Sequence, residues 1–84
     1  MYKLSIKPSA GKEIERLSTP LIARIVKEIE DLAVTPRPPG CRKLKGGDGE
    51  WRVRVGDYRI IYKIYDQESL VEVTKVKHRS SVYD

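Results

Sequence analysis

With 84 residues, 39% of them hydrophobic and 35% charged, the chain suits one globular domain, residues 1–84, around one small core, and not a disordered segment. A lone cysteine, Cys41, leaves no intrachain disulfide framework and no Cys/His metal cluster, and points to a reducing, cytoplasmic setting. The net charge of +5 is concentrated, because residues 37–63 carry eight Lys or Arg against three acidic side chains; that footprint suits a nucleic acid or an acidic protein segment as partner.

The first residues, MYKLSIKPSAGK, lack the apolar stretch of a signal peptide. No apolar run approaches the roughly 20 residues that cross a bilayer, so no membrane partner is expected. Tyr2, Leu4 and Ile6 alternate with Lys3, Ser5 and Lys7, which predicts a half-buried strand. Pro8-Ser9 ends it, and Ser9 can cap a short helix running to about Leu17, with Gly11 weakening it slightly. A second helix starts with Thr19 as cap and Pro20 as first residue. Ile22, Ile25, Val26, Ile29, Leu32 and Ala33 recur on one face, and Pro36 stops it. From Pro36 to Gly49 the chain reads as a loop with Leu44 as anchor. Gly46-Gly47-Asp48-Gly49 reads as a flexible turn, lacking the Gly-Lys-Ser/Thr ending of a phosphate-binding loop.

The stretch from Trp51 to Tyr65 reads as a β-hairpin, rich in Val, Ile and Tyr on both sides of Gly56-Asp57. A type II′ turn there pairs Val55 with Tyr58, Arg54 with Arg59, Val53 with Ile60, Arg52 with Ile61 and Trp51 with Tyr62. One face then carries Trp51, Val53, Val55, Tyr58, Ile60, Tyr62 and Ile64, the other Arg52, Arg54, Arg59, Ile61 and Lys63. Arg54 opposite Arg59 is a like-charge pair, which destabilises a sheet. A polyanion on that face would turn the repulsion into binding; a basic outer face that is merely solvated is the other reading. Asp66 to Ser69 makes a turn, and Leu70 to Val76 is a strand apolar on much of both faces, as in a central, doubly covered position. The order β-α-α-β-β-β predicts an α+β fold, with a helical hairpin packed on a mostly antiparallel four-stranded sheet.

The run LKGGDGEWRVRVGDYRIIYKI and the ending KVKHRSSVYD together resemble the RelE/ParE superfamily of bacterial and archaeal type II toxins. The pieces that carry the resemblance are W-R-x-R-x-G-x-Y-R-x-I-Y and H-R-x-x-V-Y, and it extends over nearly the whole chain. It implies a RelE-like toxin that binds the ribosomal A site and cuts the mRNA there without metal or other cofactor. The ribose 2′-OH attacks the adjacent phosphate. A cognate antitoxin neutralises the toxin, and operator DNA is engaged only through the antitoxin. By position, the resemblance assigns catalysis to Arg52, Arg54, Arg59, Arg79 and Tyr83, the last stacking on or orienting a base. Arg52 and Arg54 stand where well-known members carry lysines. The sequence stops one residue after Tyr83, where some members continue into a helix, which leaves the mode of inhibition open.

Arginine clamps a phosphate well because its fork matches the oxygens bidentately. It is a poor base, with a pKa above about 12. His78, the only histidine, titrates in a suitable range and is a candidate base, as is Glu50; clamping without a dedicated base is a further reading. Lys43, Lys45, Lys63 and Lys77 are expected RNA contacts, while Trp51, Tyr58 and Tyr62 read as core. Two other functions stay open: a ParE-like toxin that inhibits DNA gyrase without cutting, and an inactive homologue acting as corepressor.

Overall fold

The computed structural model describes residues 1–46 and 48–81. In chain order the elements are β1 (Lys3–Ile6), α1 (Pro8–Glu15), α2 (Thr19–Val34), β2 (Arg42–Lys43), β3 (Glu50–Val55), β4 (Tyr58–Tyr65), β5 (Leu70–His78) and a 3-10 turn, Arg79–Ser81. Both helices start one or two residues earlier than their capping residues suggest. Lys7 and Ser18 stand at the caps without side-chain bonds, and Pro8 and Pro20 lie in the first turns. Proline suits that position because its fixed φ is already helical and its missing N–H would find no partner there.

The hairpin register is the one the alternation predicts, from Val55 opposite Tyr58 to Trp51 opposite Tyr62. Gly56 has φ 58°, and Ser69 is the only described non-glycine residue at positive φ. Asp57 therefore keeps negative φ, which makes the turn type II′. The helices cover the face predicted to be apolar. Val53, Val55, Ile60 and Tyr62 are buried against Ala10, Ile14, Ile25, Ile29 and Leu32, with Trp51, Tyr58 and Ile64 packed at the margin.

The sheet has five strands, not four, in the order β1-β5-β4-β3-β2. The extra strand is Arg42–Lys43, pairing with Arg52 and Trp51 inside what reads as a loop; two residues are too few to show alternation. On the other flank β1 runs parallel to β5, so β5 is an interior strand, as its apolar character suggests. Its outer face, however, is not covered by a second layer. A bulge explains the pattern: Ile61 faces Lys75 but Tyr62 faces Val73, which leaves Thr74 as the extra residue. Val71, Val73 and Val76 thereby all reach the core, although their spacing would otherwise split them between faces. Leu4 and Ile6 point to the helix side in register with Val71 and Val73. They remain 38% and 42% exposed, because β1 is an edge strand. No described helix is long and apolar enough to cross a membrane.

The sheet end away from the hairpin turn is tied by Asp66. Its carboxylate accepts from Tyr2 Oη at 2.6 Å and from Arg37 Nη2 at 3.0 Å. Chain start, the segment after α2 and the β4–β5 turn are joined at this point. Arg37, and after it Tyr2, hold the Asp66 carboxyl below the usual range. The folded state therefore binds this proton less readily than the unfolded chain. The stabilisation is present above an ordinary aspartate pKa of about 3.9 and is lost as pH falls through the lower, folded value. Melts of wild type and Asp66→Asn at pH 7 and pH 3 check this: the gap between the two proteins should narrow at the lower pH.

Candidate functional site

The II′ turn places Arg54 directly opposite Arg59. A second tether brings in Arg79. Its backbone N–H donates to the Asp57 carbonyl at 2.7 Å, carrying the end of β5 onto the hairpin turn. Arg54, Arg59 and Arg79 then line one cleft of about 150 Å³ together with Gly56, Asp57 and Tyr58. Arg79 Nε lies 3.8 Å from Asp57 Oδ1, with both side chains about 70% exposed (70% and 69%). In water so loose a pair is worth little, so Arg79 can turn towards a stronger anion at small cost. Across the turn, the Arg24 guanidinium lies 3.6 Å from where a Cβ on Gly56 would sit.

Arg52 departs from the expected open face. It is 3% exposed, held on an interior strand between Arg42 on β2 and Ile61 on β4. The unforeseen strand β2 makes β3 an interior strand of the sheet. Arg52 does not line the small cleft; with Arg42 and Arg54 it lines a neighbouring concavity of about 400 Å³. Arg54 belongs to both linings.

His78 is not brought into the arginine cluster. It pairs with Tyr58 in register, on the helix side of the sheet, and its ring meets Tyr58 edge-on at 5.4 Å. Its Nδ1 accepts from the Ser80 backbone N–H at 3.3 Å and lies 2.9 Å from Ser80 Oγ. A neutral ring accepting at Nδ1 carries its proton on Nε2. Glu50 Oε2 lies 3.1 Å from Thr74 Oγ1, four residues along β3 from Arg54. Tyr83 lies outside the described residues.

The lysines scatter. Lys77 forms an ion pair with Glu13 of α1, and the same carboxylate accepts the Val76 N–H at 2.8 Å. Lys63 faces Glu50 on one side and Glu72 on the other. Lys43 lies 6.0 Å from the centroid of the Trp51 ring, which Arg37 also approaches at 5.2 Å. Lys45 is exposed in the turn after β2.

Known proteins share this fold. A sequence model described as the ParE toxin of the type II toxin-antitoxin system, parDE, matches residues 4–83. The chain belongs to the RelE/ParE superfamily of type II toxins. It is similar to toxin RelG of Mycobacterium tuberculosis, 26% identical over 98% of this chain and 95% of the relative. Toxin RelE of the same organism is 29% identical over 98% and 86%. In structure it resembles the archaeal RelE–RelB complex from Pyrococcus horikoshii, with TM-score 0.83, 26% identity and coverage of 96% of this chain and 98% of that one.

Within this toxin, the sequence pattern missed Glu13, Arg24 and Arg42. Glu13 and Arg24 lie on the helices, and what they approach, Val76 and Lys77 for Glu13 and Gly56 for Arg24, lies far along the chain. Arg42 could be found only by seeing that a short segment after three prolines returns to the sheet.

The arginine pair generates a prediction in two directions. Arg54→Thr should raise the thermal midpoint, because removing a like-charge cross-strand pair is worth roughly 0.2–1 kcal/mol. The same change should weaken retention on immobilised heparin. Melting and salt elution measure the two effects separately.

Proposed function

We propose that this toxin is a ribosome-dependent mRNA endonuclease that cuts mRNA in the A site. The observation that carries the reading is the convergence of Arg54, Arg59 and Arg79 on one small cleft. Three guanidiniums are well matched to the charge that builds on a phosphate during internal attack. The 2′-oxygen bonds to phosphorus while the P–O5′ bond breaks, giving a cyclic phosphate and a free 5′-hydroxyl. The 2′-OH proton leaves to water and the 5′-oxygen takes one up.

Arginine moves neither proton, so this chain contributes chiefly by clamping and orienting. The position of His78 beyond the sheet and its Nδ1 contacts favour that reading over a histidine base. Arg52, buried beside the clamp, supports Arg54 and adds positive potential. Tyr83 retains the base-stacking role that its motif implies. The RelE of Pyrococcus horikoshii was crystallised with RelB; a comparable cognate antitoxin is the proposed regulator here, with operator DNA reached only through it. The description of the family model names ParE, which keeps gyrase inhibition as the second reading.

Expression of the chain in cells with mapping of mRNA 5′ ends tests both readings. The nuclease reading expects cuts within translated codons, lost in Arg59→Ala and Arg79→Ala. Loss of one preorganised charge donor costs about 10²–10³ in rate. DNA breaks dependent on gyrase, with mRNA left intact, would support the second reading and remove the first. In a single-turnover ribosome assay, His78→Ala should leave the rate of cleavage near that of wild type.

A further inference from the structure

The larger concavity is not needed to grip the scissile phosphate, yet it adjoins the cleft that does. Its lining is Pro39, Gly40, Arg42, Arg52, Val53 and Arg54. Three of these six carry guanidiniums and none carries a carboxylate. Its volume of about 400 Å³ falls in the range of small-ligand sites, roughly 300–1,000 Å³. One wall is the segment entering β2, where Gly40 has φ 89° and a Cβ would meet nothing within 4 Å. The backbone is thus open to an approaching group.

Arg54 lines both spaces, so the two adjoin at its side chain. Arg52 and Arg54 lie two residues apart on the same strand face, about 6–7 Å at the usual rise. That is on the scale of one step between phosphates in an extended single strand. Arg42 stands beside Arg52 on β2 and, unlike Arg52, is exposed. It can therefore meet a ligand without opening the core.

We propose that this concavity is a second nucleotide subsite. It receives the nucleotide next to the scissile phosphate, and Arg42 is the residue that grips that nucleotide's own phosphate. The inference rests on the reading of the arginine face as an RNA site. An acidic protein segment would also be drawn to three arginines. Adjacency to the cleft through Arg54, at single-nucleotide spacing, favours RNA.

The test uses the full chain and a labelled RNA hexanucleotide methylated at its 2′-oxygens, which cannot be cut, so that binding is read without catalysis. Fluorescence anisotropy across a salt series gives affinity and the slope of log K against log salt. Arg42→Ala should weaken binding several-fold and make the slope shallower by about 0.7, the value for one phosphate contact on a single strand. Arg42→Lys should keep the slope while losing part of the affinity, since charge remains and the fork does not. Lys12→Ala on α1 should change neither quantity. If wild type binds and Arg54→Ala weakens it while Arg42→Ala does not, the subsite is overturned and the clamp survives. If wild type does not bind at all, the subsite is overturned, while the ribosome-dependent reading of the clamp is decided by the mapped mRNA 5′ ends.

Discussion

A one-residue slip of β4 against β3 would carry Arg59 beneath the helices and push Ile60 out into water, away from its partner Val53. Side chains alternate with a period of two, so no intermediate register exists. Burial of Val53, Val55, Ile60 and Tyr62 against the helical stripe therefore does more than build a core. It sets which way every arginine of the hairpin points. Each fully buried aliphatic or aromatic side chain of this kind contributes about 1.5–3 kcal/mol. That outweighs the fraction of a kilocalorie per mole by which a like-charge cross-strand pair opposes the same register.

Charge is thus held against its own preference by hydrophobic burial on the reverse face. Such preorganisation matters for a phosphate clamp, because donors already in place need no reorganisation when charge develops. The turn at Gly56-Asp57 adds to it. The Asp57 carbonyl receives the Arg79 N–H, so an arginine more than twenty residues away is delivered beside the pair on the hairpin. The Arg79 guanidinium remains exposed while its backbone is pinned.

The opposite end of the sheet shows the complementary economy. Asp66, Arg37 and Tyr2 tie three segments together, and the Tyr62 hydroxyl donates to the Pro36 carbonyl at 2.8 Å. Burial, with Cys41 nearby, raises the Tyr62 pKa, so the phenol stays neutral and its hydrogen bond persists. On the flank of β5, Glu13 accepts the Val76 N–H and pairs with Lys77. It satisfies a strand donor beyond the last residue of β1. Lys77 and Arg37 are thereby engaged in holding the scaffold together, whereas Arg54, Arg59 and Arg79 line the cleft at the hairpin end.

The hairpin register, its turn type, the apolar stripe of α2 and the α+β order were all legible in the residues, because each rests on local periodicity or on backbone preferences of glycine and proline. Family motifs pointed to Arg54, Arg59 and Arg79 by position. Only the folded chain decided that these three share a cleft while Arg52 is buried, His78 stands on the other side of the sheet and Lys77 belongs to Glu13. Those outcomes depend on β2, on the Thr74 bulge and on the tether from Arg79 to Asp57. Strand β2 is too short to leave a periodic trace, the bulge breaks the period it would be read from, and the tether joins backbone atoms whose chemistry is the same in every residue.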